Sequence, residues 1–238
     1  MEEDKNMIES LSLVVPVYNE EENLEKLILD IKDYFSDFEG DHEVIFVDDG
    51  SSDNSLEVIY DQKNEYIRTV SHNNNRGYGE ALKTGFREAE LDWVAYIDGD
   101  NQFKIESLHK LIEYSEEYDL VAGKRKERAD HKSRIIIGET FNKLVKRYLD
   151  IEYEDVDCGI KLFRKEVLDE ISLSTRRTVD AELLAKSEAK DFNINQVSVE
   201  HYEREEGESE ASGILGVRIP LIVITIKELR QIKCEVNS

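Results

Sequence analysis

Two aspartates, Asp98 and Asp100, follow a short hydrophobic segment of the chain and are separated only by Gly99. Residues i and i+2 of an extended turn point to the same side, so both carboxylates can face one cation. Oxygen ligands without His or Cys favour a hard cation, Mg²⁺ or Mn²⁺, and Gln102 adds a carbonyl oxygen two residues on. A solvated acidic turn is the alternative interpretation, but the position directly after a hydrophobic segment favours a metal site that also binds substrate phosphates.

Polar clusters of the same kind follow two other apolar segments. One cluster runs from Pro16 to Glu20, and the other runs from Asp48 to Ser52. In an open parallel sheet, ligands bind at the carboxyl ends of the strands. Because an acidic composition alone would not place carboxylates at three such ends, the clusters predict one shared binding site.

The elements that must position these clusters alternate between strands and helices. Short apolar runs with β-branched residues predict strands at 11–17, 44–47, 67–71, 93–97 and 120–122. Helices are predicted near 24–35, 51–60, 77–89 and 105–114. This alternation predicts an α/β fold, in which a Rossmann-like, mostly parallel sheet carries helices on both faces.

The second half of the chain is less regular. Helical spacing recurs near 141–148 and 181–189, a strand is predicted at 194–199, and a charged loop is predicted at 203–212. The segment 214–232 is predicted to form one amphipathic helix or two short ones. We therefore divide the chain into a polar N-terminal tail (1–10), an α/β domain (11–212) and a C-terminal amphipathic helical segment (213–238).

Composition narrows the class of partner. The chain has 54 Asp and Glu residues against 31 Lys and Arg residues, a formal net charge of −23, which repels phosphate backbones and argues against nucleic acid. Cys158 and Cys234 are too few for a disulfide framework and favour a reducing compartment. The longest mostly apolar stretch, 213–226, is shorter than the roughly 20 residues of a membrane span. We expect a cytoplasmic protein with no signal peptide and no transmembrane segment.

Taken together, these motifs resemble those of the family 2 glycosyltransferases with the GT-A fold. The strand-end motifs that carry the resemblance are Pro16-Val17-Tyr18-Asn19-Glu20, Val47-Asp48-Asp49-Gly50-Ser51 and Asp98-Gly99-Asp100. The Gly-rich segment 75–85 is similar to a helix start of that family, and segments 157–164 and 204–209 look like its polyprenyl-phosphate (dolichyl-phosphate) sugar transferase branch. The resemblance covers about residues 11–212, which are therefore expected to form a GT-A domain.

The resemblance implies roles for individual residues. A nucleotide-sugar donor would contact the strand ends and one later arginine, namely Pro16, Tyr18, Glu20, Val47, Asp49, Asp98, Gly99, Asp100 and Arg204, with Asp49 at the base or ribose. Mg²⁺ or Mn²⁺ would be held by Asp98, Asp100 and Gln102. The acceptor phosphate would be bound by Arg125 and Arg134, and the donor diphosphate by Arg204. The predicted catalytic residues are thus Asp98, Asp100, Arg125 and Arg204.

These roles imply an inverting, metal-dependent enzyme that moves a hexose from a nucleotide-sugar to dolichyl or polyprenyl phosphate at a membrane surface. Peripheral attachment at the cytoplasmic membrane face, a membrane-protein partner and a place in protein glycosylation are part of the same expectation. One departure from the family is that Ser209 precedes Glu210 where the family often has a lysine. This change removes a cation expected at the diphosphate.

Two alternatives stay open. One is a GT-A transferase whose acceptor is a sugar or protein hydroxyl, which requires a general base. Asp157, Asp180 and Glu182 are candidates for that base, although Asp180 and Glu182 equally fit a helix start, where acidic side chains are favourable. The other alternative is a module that binds a nucleotide-sugar without turnover.

Overall fold

In the computed structural model, residues 8–126, 129, 132–204 and 218–237 are described. The strands are β1 (Ser10–Val17), β2 (Asp41–Asp48), β3 (Ile67–Ser71), β4 (Trp93–Ile97), β5 (Leu120–Arg125), β6 (Ile160–Arg164) and β7 (Ile194–Val199). The helices are α1 (Glu21–Ser36), α2 (Ser55–Asp61), α3 (Tyr78–Glu88), α4 (Ser107–Ile112), α5 (Lys132–Leu149), α6 (Lys165–Glu170), α7 (Val179–Ala189) and α8 (Arg218–Val236). The predicted strands and helices are therefore all present, and β3, β4 and β7 also have the predicted ends.

The strands form one mostly parallel sheet in the order β3-β2-β1-β4-β6-β5-β7. β1 lies between β2 and β4 and is parallel to both, with Val15 opposite Phe46 and Leu13 opposite Ala95. β6 runs antiparallel between β4 and β5. The predicted α/β fold is confirmed, and β6 is the strand that the apolar pattern did not reveal, because a lysine, Lys161, stands in its interior.

Alternation along the central strands sends side chains to two hydrophobic clusters, one on each face of the sheet. Leu13 and Val15 of β1 pack with α1, whose apolar residues at helical spacing are buried: Leu24, Leu27, Ile28, Ile31 and Phe35. On the opposite face, Val14 packs in a cluster with Leu82 and Phe86 of α3. A Cβ at Gly85 would lie 2.2 Å from a methyl group of Val14, so this glycine lets α3 approach β1 closely.

The two ends of the chain join this core. Ile8 is buried in the α1 cluster and β1 begins at Ser10, so the ordered domain includes residues that were predicted as tail. α8 is one continuous helix, and it buries Leu229 and Ile232 against the cluster that contains α5 and α7. In the part of the chain that the structure describes, no helix has the length and apolar character needed to cross a membrane.

Candidate functional site

An open cavity of about 200 Å³ lies at the carboxyl ends of β1, β2 and β4. It brings together most of the residues predicted to bind the donor: Pro16, Tyr18, Glu20, Asp49, Asp98, Gly99, Asp100 and Arg204. The lining is completed by Val17, Asn75, Tyr78 and Ala81, which had no predicted role. The site therefore forms at the carboxyl ends of parallel strands, as expected for an open parallel sheet.

The loops after β1 and β2 hold each other in place. The Asp49 N–H donates to the Val17 carbonyl over 2.8 Å, and the Ser52 N–H donates to Asn19 Oδ1 over 2.8 Å. Gly50 has a φ of 73°, in the left-handed region that glycine adopts without strain. The Glu20 N–H donates to Ser55 Oγ at the start of α2. The polar sequence motifs thus cross-link two neighbouring loops and fix the floor of the cavity.

Asp49 organises the loop that joins β3 to α3. Its carboxylate accepts hydrogen bonds from the backbone N–H groups of Arg76 (2.9 Å) and Gly77 (2.7 Å). His72 Nδ1 lies 2.6 Å from Asp49 Oδ1, and His72 Nε2 lies 3.0 Å from Thr84 Oγ1. The Asp49 side chain is 3% exposed, and both of its carboxylate oxygens accept hydrogen bonds from within the protein. His72 carried no signal in the sequence, because its partner is 23 residues away.

Asp98 and Asp100 lie next to each other at the end of β4. Desolvation by burial and the negative charge of Asp100 raise the pKa of Asp98 to about 8. The Tyr78 hydroxyl donates to Asp98 Oδ1 over 2.8 Å. A Cβ at Gly159 would lie 1.8 Å from Asp98 Oδ2, so only glycine leaves room for this carboxylate. Tyr78 and Gly159 are site residues that sequence reasoning missed.

The two carboxylates fit a hard divalent cation. Like charges held together and partly desolvated are costly, and a bound cation would relieve that cost. Across residues 8–126, 129, 132–204 and 218–237, no three His, Cys, Asp or Glu side chains are grouped as metal ligands. The remaining ligands would be donor phosphates and water, as is usual for Mg²⁺. The Gln102 amide donates to the Tyr202 carbonyl over 3.2 Å, and Gln102 is not part of the cavity lining.

Arg204 crosses the cavity from the other side. Its Nη2 lies 2.6 and 2.5 Å from the two carboxylate oxygens of Glu20, and its Nη1 lies 3.7 Å from Asp100 Oδ2. Desolvation raises the pKa of Glu20 in spite of this contact. The guanidinium therefore lies between Glu20 of the β1 loop and Asp100. Residues 205–210 of the same predicted motif lie outside the described residues.

Arg125 and Val47, like Gln102, are not part of this cavity lining. Arg125 makes a two-pronged ion pair with Asp155, with Nε and Nη2 at 2.7 and 2.6 Å from its oxygens, and this pair is nearly buried. Val47 is fully buried in β2. Arg134 belongs to α5, and its side chain lies outside the described residues. The Arg125 guanidinium is thus already engaged by the Asp155 carboxylate.

A buried ionic group lies beside the cavity. Lys161 Nζ contacts Asp180 Oδ1 (2.5 Å), the Tyr96 hydroxyl (2.7 Å) and the Cys158 carbonyl (2.8 Å). The Tyr96 hydroxyl also donates to Asp180. Of the candidate general bases, Asp180 is therefore committed to Lys161.

Glu182, another of the candidate bases, is committed to structure. It accepts from the backbone N–H groups of Ser174 and Thr175 and pairs with Lys186. The third candidate, Asp157, has an exposed side chain and presents its carbonyl to Arg125.

Comparison with known proteins points to one family. The sequence profile described as glycosyl transferase family 2 matches residues 12–172. The undecaprenyl-phosphate 4-deoxy-4-formamido-L-arabinose transferase of Proteus mirabilis is 31% identical over 209 residues, which are 86% of this chain and 64% of that protein. The protein of the same name from Pseudomonas fluorescens is 30% identical over 222 residues, 92% of this chain and 65% of that protein. The chain thus spans slightly less than two thirds of these relatives.

Solved structures share the fold at lower identity. Glucosyl-3-phosphoglycerate synthase from Mycobacterium tuberculosis, crystallised with Mn²⁺, uridine diphosphate and phosphoglyceric acid, superposes with a TM-score of 0.72 at 20% identity over 93% of this chain and 78% of that chain. A crystal of the same enzyme with Mn²⁺, uridine diphosphate and glucosyl-3-phosphoglycerate gives 0.66 at 22% identity, over 84% and 73%. These likenesses establish the GT-A fold.

Proposed function

The chain belongs to glycosyl transferase family 2, and we propose that it transfers a sugar from a nucleotide-sugar donor to a polyprenyl phosphate at a membrane surface. The observation that carries this proposal is the convergence of Asp98, Asp100 and Arg204 on one cavity at the ends of parallel strands. The acceptor class is supported by the names of the relatives from Proteus mirabilis and Pseudomonas fluorescens.

The donor diphosphate would lie between the two aspartates and Arg204. When bound, Mg²⁺ or Mn²⁺ would neutralise the charge that develops on the leaving diphosphate. Arg204 would exchange Glu20 for the diphosphate oxygens, where a guanidinium matches the geometry of phosphate. Pro16, Tyr18, Gly99 and the backbone near Val47 would contact the rest of the donor, and Asp49 would both hold its loop and contact the base or ribose.

The acceptor needs positioning rather than a base. A phosphate monoester is already ionised at neutral pH, so its oxygen can attack the anomeric carbon directly. Direct displacement inverts that carbon. The engagement of Asp180 by Lys161 and of Glu182 by Ser174, Thr175 and Lys186 removes two of the three candidate bases that a hydroxyl acceptor would need. Asp157 is the candidate whose side chain stays exposed.

The finer assignments extend the same proposal. The sugar is a hexose in our proposal, whereas the relatives are named as transferases of an arabinose derivative. Gln102 would complete the metal shell by turning its amide from Tyr202. Arg125 and Arg134 would bind acceptor phosphate, which requires Arg125 to exchange Asp155 for it. Attachment at the cytoplasmic membrane face, alone or with a membrane-protein partner, would bring the enzyme to its acceptor.

A donor screen followed by a transfer assay tests the proposal. Thermal unfolding is measured with UDP- and GDP-hexoses and with a UDP-pentose derivative, with and without Mn²⁺, because a bound ligand raises apparent stability. The stabilising donor is then radiolabelled and incubated with undecaprenyl phosphate. We expect a shift that depends on Mn²⁺ and label in the lipid phase.

Asp61→Asn is the matched control for substitutions of Asp98 and Asp100, because Asp61 is an exposed acid at the end of α2. It should behave as the wild type in both assays. Donor binding without label in any lipid phosphate would overturn the proposed reaction.

A further inference from the structure

Tyr78 is the first residue of α3 and lies where two cavities meet. It lines the donor cavity together with Asp98 and Asp100, and it also lines a second cavity of about 440 Å³. Tyr78 is 40% exposed, so core packing does not fix the position of its ring. Its hydroxyl nevertheless donates to Asp98 Oδ1 over 2.8 Å. This contact joins the start of α3 to one of the two carboxylates at the end of β4.

The backbone on both sides of Tyr78 is anchored. On one side, the Gly77 N–H donates to the Asp49 carboxylate over 2.7 Å, and Gly77 has a φ of 98°, which favours glycine. On the other side, the Gly79 N–H donates to the Arg176 carbonyl over 3.1 Å, and a Cβ at Gly79 would lie 2.4 Å from that oxygen. The start of α3 therefore holds Tyr78 in place before any ligand binds.

The Asp98 carboxylate is fixed at both of its oxygens. Oδ2 packs against Gly159, where a Cβ would lie 1.8 Å from it, and the Asp98 N–H donates to the Gly159 carbonyl over 3.0 Å. Oδ1 accepts the hydrogen bond from Tyr78. In the part of the chain that the structure describes, the Tyr78 hydroxyl is the only hydrogen-bond donor to this carboxylate. Gly159 thus sets the backbone and one oxygen, and Tyr78 orients the other.

A hydroxyl in this position suits a carboxylate that holds a cation. A carboxylate oxygen has two lone pairs, so Oδ1 can accept from Tyr78 and still face a metal ion. A donor to the carboxylate also favours its ionised form, which is the form that a cation needs. Partners that hydrogen-bond to a metal ligand fix its orientation, and their loss typically weakens metal binding by about 10–100-fold.

We infer that Tyr78 is a positioning residue, whose hydroxyl holds the Asp98 carboxylate in the orientation that binds the divalent cation. The inference rests on the proposed function for the cation at Asp98 and Asp100. It also joins the two ends of the donor site. Asp49, assigned to the base or ribose, holds the Gly77 backbone, and the next residue along the chain orients the carboxylate assigned to the cation.

Mn²⁺ binding to the full chain in the presence of saturating UDP tests the inference. The free ion is counted by electron paramagnetic resonance, so the measurement does not depend on sugar transfer. Tyr78→Phe keeps the ring and removes the hydroxyl, and it should raise the dissociation constant of Mn²⁺ about tenfold. The midpoint of thermal unfolding without ligand should match the wild type, because the ring and its packing are retained.

Tyr60→Phe is the matched control, because Tyr60 is a tyrosine of α2 that is 50% exposed and lies outside the donor cavity. It should bind Mn²⁺ as the wild type does. A kinetic arm separates positioning from a direct part in the reaction. Raising Mn²⁺ to saturation should bring kcat of Tyr78→Phe to within about twofold of the wild type, since only the affinity for the cation is lowered.

Four outcomes would overturn the inference. They are equal Mn²⁺ affinity in Tyr78→Phe and the wild type, an equal loss in Tyr60→Phe, a kcat of Tyr78→Phe that stays low at saturating Mn²⁺, and no Mn²⁺ binding by the wild type with UDP. The last outcome would also remove the cation from the proposed function. Mn²⁺ affinity that depends on Tyr78, without transfer to any lipid phosphate, would uphold the inference and sink the proposed reaction.

Discussion

The two halves of the sheet differ in how their buried charges are paired. In the half built from β6, β5 and β7, buried charges meet a partner within the protein, as Lys161 meets Asp180 and Arg125 meets Asp155. At the end of β4, the like charges of Asp98 and Asp100 stand together, and burial with the charge of Asp100 raises the pKa of Asp98. Residue type therefore does not separate structural charges from ligand-facing charges. The partner that each charge has in the folded protein does.

The largest effect is expected from the pair of like charges. Asp98→Asn combined with Asp100→Asn should lower kcat/KM for sugar transfer by about a thousandfold or more, since it removes the groups that stabilise the leaving diphosphate. Thermal stability should stay equal or rise, because the repulsion between the carboxylates disappears. Steady-state kinetics with saturating Mn²⁺ and thermal unfolding measure the two quantities.

The Asp61→Asn control should match the wild type in both measurements. Transfer within tenfold of the wild type by the double variant would show that Asp98 and Asp100 are no more ligand-facing than the paired acids.

The opposite pattern is expected for the buried pair of the other half. Lys161→Met leaves Asp180 without its cation in a site where Lys161 is 0% exposed, and should cost about 3–5 kcal/mol of unfolding free energy. Urea unfolding measures this cost. Adding Asp180→Asn to Lys161→Met should recover much of it, because no uncompensated charge remains.

Stability of the Lys161→Met variant within about 0.5 kcal/mol of the wild type would show that the pair is not structural.

Arg204 is expected to give an intermediate effect on activity. Arg204→Gln should raise the donor KM and lower kcat/KM by about 10–100-fold, the effect of a charged hydrogen bond of roughly 1.5–3 kcal/mol. Arg204→Lys should restore part of this loss, since it keeps the charge but loses the planar fork. Kinetics at varied donor and fixed acceptor make the measurement.

An effect of Arg204→Gln confined to stability, with the donor KM unchanged, would place Arg204 with the structural pairs instead.

The smallest effect is a pH-dependent one at Glu182. Burial alone would raise the pKa of Glu182, but hydrogen bonds from Lys186, Thr175 and Ser174 outweigh it and lower the pKa below 4.5. A depressed pKa in the folded state stabilises the protein above the unfolded pKa and loses this contribution as the pH falls through the folded value. Glu182→Gln should therefore cost about 1–3 kcal/mol at neutral pH.

Chemical unfolding at pH 7 and at about pH 3.5 checks this sign. The difference between wild type and Glu182→Gln should shrink at the lower pH. A difference that grows on acidification would contradict the lowered pKa.

Local pattern was enough to predict most of the fold. β3, β4 and β7 have the predicted ends because each is a short apolar or alternating run bounded by polar residues. β6 was not predicted, because a lysine such as Lys161 in the middle of a segment is typical of an exposed position. In the folded protein, Asp180 and the Tyr96 hydroxyl are the partners of Lys161. α8 proved to be one helix because its packing against α5 and α7 continues along its C-terminal half.

For the candidate site, the motifs after β1, β2 and β4 led to the correct end of the sheet. Tyr78 and His72 could not be predicted, since their contacts join residues 20 and 23 positions apart through loops whose paths have no periodicity. The Arg176 guanidinium donates to the Arg76 carbonyl across 100 positions of sequence. No local pattern connects two such arginines.

The order of residues along the chain by itself determined the alternating strands and helices and the turn chemistry at their ends, because periodicity and polarity act over a few residues. Only the tertiary structure decided which charges are neutralised within the protein and which are left to face a ligand. A charge is stabilised by whatever lies within a few ångströms of it in space, and for Arg125, Lys161 and Arg204 those neighbours are 30, 19 and 184 positions away.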